Sequence, residues 1–214
     1  KPIIGCELYV APESRFDKRA ADKNPYHLTV VAQSDAGYRN LLKLVSKANL
    51  EGFYYKPRID KDLLAEHAEG LAVLSGCPSA ELARLIMDGD MAGAEELVRW
   101  FRGSVPSFYL ELQRHENLPF LDGLNAGLIN LAERLDVPLV ATNDLHYVRQ
   151  EDAPLQDVMV CIQTNTTIND ESRLKMSDDS YYLKGPEEMA ELFADIPEAL
   201  ANTVEIARRC NLVL

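Results

Sequence analysis

The chain alternates short apolar runs with longer stretches in which apolar residues recur every three or four positions. Residues 2–10 form the first apolar run, interrupted by Glu7, and residues 26–32 form a second with His27 near its start. From Asp35 the spacing turns helical, with Leu41, Leu42, Leu44, Val45 and Ala48 on one face, Asp35 as N-cap and Gly52 near the stop. A short helix at 61–67 comes next, then a strand at 71–75, helices at 79–87 and 91–102, a strand at 108–113 and a long amphipathic helix at 118–135. That helix feeds a strand at 137–141. Repetition of strand, loop and helix predicts parallel βα units.

Beyond Arg149 the pattern changes. Helices are expected at 151–163, from Pro186, and at 197–210, with a polar loop at 164–180 and a short strand at 181–184. We therefore expect an α/β domain over residues 1–149 and a helical extension over 150–214. No chemistry is legible in that extension.

Length adds a bound, since 214 residues suffice for one sizeable core. A 47% hydrophobic content excludes wholesale disorder. No apolar run reaches the length of a membrane span and no secretory leader opens the sequence, so a cytoplasmic location and no membrane partner are expected. The four cysteines, Cys6, Cys77, Cys161 and Cys210, form no CxxC pair and are expected to stay reduced. Opening at Lys1-Pro2-Ile3 without an initiator Met, the chain reads as an excerpt of a longer polypeptide.

Charge narrows the partners. With 34 acidic against 22 basic residues, the net charge of −12 makes the chain a poor ligand for a phosphate backbone on its own. The loop Phe53-Tyr54-Tyr55-Lys56-Pro57-Arg58-Ile59 is the one aromatic and basic stretch. It suits contact with bases or phosphates, or packing over the rim of the domain.

The strand ends carry the candidate chemistry. Leu139-Val140-Ala141-Thr142 stops at Asn143-Asp144-Leu145-His146, and residues i and i+2 of an extended segment point to one side. Asp144 and His146 are thus expected to converge beyond the carboxyl end of a strand, where α/β folds bind ligands. Carboxylate plus imidazole suits zinc, manganese or iron. The same pattern also fits a helix cap at Asp144 with His146 packed beneath it. Glu7 in the first strand, His27 at the start of the second, and Cys77 after the Ser75-Gly76 turn occupy comparable positions. Each alone also has an ordinary structural reading, Cys77 as a small hydrophobe and His27 as a core residue. Glu111 is expected to face the interior, His115 to lie in an exposed loop, and His67 on a solvated helix face.

Taken together, the runs KPIIGCELYV, YHLTVVAQSDAGYRNLLKLVS, EGFYYKPRID, LSGC, VPLVATNDLHY, CIQT and YYLKGPEEMAELFADIPEALANT resemble the PHP (polymerase and histidinol phosphatase) domain of bacterial replicative DNA polymerase III alpha subunits, the family C polymerases. The resemblance implies a distorted (βα)7, TIM-like barrel, here partial, with a C-terminal helical extension leading toward a polymerase palm. It implies a divalent metal site (Zn, Mn or Mg) held by Glu7, His27, Cys77, Asp144 and His146; of these, Asp144 and His146, two residues apart on one strand end, are expected to be central. Glu111 and His115 fall near that cleft. The family's His-x-His and Thr-Asp-His motifs are expected upstream of Lys1, so the ligand set is incomplete here.

In functional terms the resemblance implies part of a DNA-directed DNA polymerase, whose metal site supports 3′–5′ exonuclease or pyrophosphatase activity, and which cannot polymerise as this piece alone. Implied partners are the remainder of the polymerase chain, DNA through that chain, a proofreading exonuclease subunit and a sliding clamp. Two competing readings are a stand-alone phosphoesterase of the histidinol phosphatase type and a non-catalytic scaffold.

Overall fold

A computed structural model describes residues 1–176 and 178–213. Its sheet is built from β1 (Gly5–Val10), β2 (Tyr26–Ala32), β3 (Arg58–Ile59), β4 (Leu71–Leu74), β5 (Ser107–Gln113) and β6 (Leu139–Thr142), in the order β3-β1-β2-β4-β5-β6. Five strands run parallel. The exception is β2, antiparallel to both β1 and β4, so the expectation of parallel βα units does not extend to it. Its cause is local: the 15 residues from Ala11 to Pro25 contain only a one-turn 3-10 helix at Ala20–Lys23. Without a crossover helix, the chain returns beside the strand it has just left. Among the described residues β3 and β6, the two ends of the sheet, do not pair with each other.

Helices α1 (Asp35–Leu50), α2 (Lys61–Glu66), α3 (Glu81–Met87), α4 (Met91–Ser104) and α5 (Phe120–Leu135) come between strands, and α6 (Ala153–Thr164), α7 (Pro186–Leu192) and α8 (Pro197–Arg209) come after the last one. Ser34, rather than Asp35, caps α1 by accepting a hydrogen bond from Gly37 N at 3.1 Å. Asp60 and Asp90 cap α2 and α4 in the same way. Gly37 is glycine for a packing reason, since a Cβ there would stand 1.8 Å from the Gly70 carbonyl oxygen.

Strand alternation sorts the side chains into two layers. Leu8, Val10, Leu28, Val30, Val73, Phe108, Leu110, Leu112, Leu139 and Ala141 face the inter-strand helices and form the main core. Phe193, Ile196 and Ala199 join that core, so α7 and α8 pack against the sheet-forming part of the chain. On the opposite face Ala72, Leu74, Tyr109 and Val140 are covered by Ile206 of α8 and by Cys210. Asn202 of α8 donates to the Leu139 carbonyl at 2.7 Å. The strand expected at 181–184 is reduced to a single bridge between Tyr147 and Tyr182.

The aromatic and basic loop resolves differently from either sequence reading at its one arginine. Arg58 is completely buried, and its guanidinium donates to the carbonyls of Gly52, Arg15, Asp17 and Asp22 at 2.7–3.1 Å while lying 5.3 Å from the Tyr54 ring. It binds the chain's own backbone and is closed to phosphate. All four cysteines are free thiols, and among the described residues no helix is long and apolar enough to cross a membrane.

Candidate metal centre

Three side chains meet where β1, β2 and the end of β4 come together. In the antiparallel register Glu7 faces Thr29 and Tyr9 faces His27, so Glu7 and His27 are diagonal neighbours on the same side of the sheet. His27 Nδ1 lies 3.2 Å from Glu7 Oε1 and 3.5 Å from Cys77 Sγ. Cys77 arrives through the turn after β4, where Gly76 has φ +89°, and a Cβ on Gly76 would press to 2.9 Å from the His27 carbonyl oxygen. The close approach of the two backbones depends on that glycine.

Glu7, His27 and Cys77 offer one ligand atom each, all within 4.8 Å of one another, and they are the only such group among the described residues. Thiolate, imidazole and carboxylate are the donor set that suits zinc, and three protein ligands with an open position is the arrangement of catalytic zinc sites. The donors present fit the cation that the sequence implied.

In the metal-free chain the same contacts favour a proton on His27. Bonds to Cys77 and Glu7 favour the charged His27 ring and push it up to about 10 against the cost of partial burial. The same contact with His27 holds the Glu7 carboxyl below the usual range. A histidine whose folded value is raised contributes stability that is fully present below its unfolded value near 6.5 and is lost as pH rises through about 10. A cation must displace that proton. Zinc affinity is therefore expected to increase between pH 6 and 8, by up to about tenfold per unit for each proton released. Calorimetric titrations at the two pH values check this, and an affinity independent of pH would show that His27 is not a ligand.

Asp144 and His146 lie nearby but outside this group. Their expected convergence assumed extended backbone, whereas Asp144 has φ +47°, in the left-handed region, and turns the chain between them. His146 Nδ1 approaches the Asp144 main-chain carbonyl at 2.5 Å and the Asp144 carboxylate only at 4.0 Å. Burial raises the Asp144 carboxyl, His146 and His27 pull it down, and Glu7 pushes it up, so these four side chains share one electrostatic field.

Glu111 faces the interior as expected. Its carboxylate accepts from Gly76 N at 3.1 Å, Gln113 Nε2 at 3.1 Å and Thr142 Oγ1 at 2.6 Å, and burial raises its pKa. By bonding Gly76, Glu111 steadies the turn that presents Cys77.

Two histidines are placed differently from the sequence reading. His67 is not solvated: it is 9% exposed, at the end of α2, with Nε2 3.6 Å from Glu66 Oε1, and belongs to no ligand group among the described residues. His115 is not in an exposed loop either. It is 8% exposed, stacked on Tyr181 with ring centroids 4.1 Å apart, and Tyr181 also meets the His146 ring edge-on at 5.5 Å. The segment beyond residue 149, read as chemically blank, thus supplies the ring that separates two histidines. The available signal was the Asp178-Asp179-Ser180-Tyr181-Tyr182 run, polar and aromatic residues in a loop, where binding groups concentrate. Cys77, Gln113, His115, Asp144 and Tyr181 line one cavity of about 280 Å³.

The chain is 50% identical over 216 residues to the DNA polymerase III subunit alpha of Treponema pallidum, a match covering 99% of this chain and 18% of that protein. It is 49% identical over 214 residues to the protein of the same name from Borreliella burgdorferi, covering 99% and 19%, and 43% identical over 221 residues to that of Thermus aquaticus, covering 100% and 18%. The chain therefore spans less than a fifth of the length of these relatives. The PHP domain model matches residues 1–115, more than half of the sequence and the part that holds Glu7, His27 and Cys77, and the chain belongs to the PHP domain family.

Proposed function

We propose that this chain is the PHP portion of a bacterial replicative DNA polymerase, a DNA polymerase III alpha subunit, and that it holds one divalent cation, zinc by preference, on Glu7, His27 and Cys77. The observation that carries the reading is the coincidence of that three-donor group with similarity, over at least 99% of this chain, to part of proteins of that name. Asp144 and His146 flank the centre from the β6 side, outside the donor group, and act on it through their charge. The sheet belongs to a barrel of the PHP type, with residues 1–149 as its body and 150–214 as the extension.

The chemistry proposed is hydrolysis of phosphoesters, as in a 3′–5′ exonuclease or a pyrophosphatase. A bound cation would neutralise phosphate charge and activate water. The residues do the rest: Cys77, His27 and Glu7 fix the position, and Glu111 holds the Gly76 turn. Polymerisation, a cytoplasmic location, and contacts with the remaining polymerase chain, a proofreading exonuclease subunit and a sliding clamp are proposed for the longer protein. The names of the relatives favour this over a stand-alone phosphatase of the histidinol phosphatase type.

Metal analysis of the purified chain tests the centre. About one zinc per chain supports it; none, or zinc retained after loss of both His27 and Cys77, refutes it. With a charge of −12 and Arg58 closed to phosphate, the chain alone is expected to bind duplex DNA weakly at physiological salt. Submicromolar affinity in a fluorescence titration would contradict this.

A further inference from the structure

One wall residue of the cavity beside the metal centre, His115, heads a hydrogen-bond relay that the centre itself does not need. His115 Nδ1 lies 2.5 Å from Ser180 Oγ, and Ser180 Oγ donates to Asp178 Oδ1 at 2.7 Å. Asp178 also accepts from the Ser180 amide at 2.9 Å and the Asn117 amide at 3.3 Å. Burial pushes the Asp178 carboxyl up, but these bonds outweigh it and hold the group below its usual range, as an ionised acceptor. An ionised carboxylate cannot donate, so the single Ser180 proton goes to Asp178. Ser180 Oγ then has only lone pairs for His115, and Nδ1 must carry the ring proton.

That leaves Nε2 as a bare lone pair. It is buried and has no hydrogen-bond partner among the described residues, and burial lowers the His115 pKa, which favours the neutral ring. A buried, unpaired polar atom is rare in a folded protein and points to a missing partner. No pair of His, Cys, Asp or Glu ligands joins His115 within 4.8 Å among the described residues, so a hydrogen donor suits the atom better than a cation does. His115 shares its cavity with Cys77, Gln113 and Asp144.

We propose that the Asp178–Ser180–His115 relay presents His115 Nε2 as the proton acceptor for the water that attacks a phosphodiester held at the Cys77 and Asp144 side of the centre. The inference rests on the phosphoester reading above. Water gives a proton to Nε2 as its oxygen forms the new P–O bond. The ester P–O bond breaks with its electron pair on the departing oxygen, which leaves opposite the attacking water and takes a proton from solvent, while Nε2 returns its own proton to solvent. Water and diester become monoester and alcohol, and the ring ends neutral. Ser180 and Asp178 are positioning residues, fixing the tautomer without touching substrate.

Two measurements test it. In the metal-free chain, long-range ¹H–¹⁵N NMR of His115 is expected to show the Nδ1–H tautomer, changed by Ser180→Ala; a proton on Nε2 in the unmodified chain overturns the relay. In the zinc-loaded chain hydrolysing bis(p-nitrophenyl) phosphate, His115→Gln is expected to lower kcat about 100-fold, within the usual range for a lost general base, at unchanged zinc content. Ser180→Ala, which keeps the ring, should lower kcat less than His115→Gln. A kcat within twofold of the original in His115→Gln overturns the proposal. Absence of hydrolysis by the zinc-loaded unmodified chain overturns the phosphoester reading itself, whereas the tautomer, read without zinc, decides the relay alone.

Discussion

The His27→Ala chain is expected to bind zinc more than about 100-fold more weakly than the unmodified chain. Loss of an outer-shell partner already costs roughly 10- to 100-fold in metal affinity, and His27 is the central donor of a three-donor set. Its removal leaves Glu7 and Cys77 too few to hold a tetrahedral cation and takes away the group that each of them bonds. Competition against a chromophoric chelator measures the loss, and a change below threefold would dispose of the centre. Two comparisons sharpen the test. His67→Ala should leave zinc affinity unaltered, because His67 lies in no ligand group among the described residues. Asp144→Asn combined with His146→Ala should weaken binding less than His27→Ala, reversing the ranking suggested by the sequence.

Arg58→Met should be the most destabilising single substitution outside the centre. Methionine fills much of the space but abandons four buried carbonyls, those of Gly52, Arg15, Asp17 and Asp22. Stranding buried partners of a charged group costs about 3–5 kcal/mol, at the upper end for point mutations. For a domain of this size that corresponds to a melting temperature lower by roughly 10 °C. Lysine should rescue little, since an ammonium lacks the fork that reaches several acceptors at once. A thermal unfolding scan checks both variants, and a shift under about 2 °C for Arg58→Met would mean that the carbonyls find water instead.

Most elements were legible because they are long or strictly periodic. The helices at α1, α4 and α5 and the strands at β2 and β5 emerge near their expected limits, since each buries one face on the core. The direction of β2 was not legible, because strand polarity depends on what connects the strands and residues 11–25 carry no strong pattern. At the site, Glu7, His27 and Cys77 were identifiable by their place at strand ends, and register did the rest. The separation of Asp144 from that trio was hidden, since one positive φ is invisible to a reading that assumes extension. His115 and His67 were misjudged for a common reason. Polar neighbours imply exposure only where nothing packs above them, and what covers His115 is Tyr181, 66 positions away in sequence.

The turn at Asp144 also restricts which residues evolution can place there. A left-handed backbone conformation admits glycine freely and asparagine or aspartate at modest strain, and it penalises nearly everything else. An anionic oxygen beside the centre admits aspartate or glutamate. Only aspartate belongs to both sets. A saturation library at position 144 should therefore split into two tolerance profiles, a folding screen retaining Gly, Asn and Asp and a metal-binding screen retaining Asp alone, whereas glutamate, the nearest chemical substitute, fails at the backbone before its charge matters.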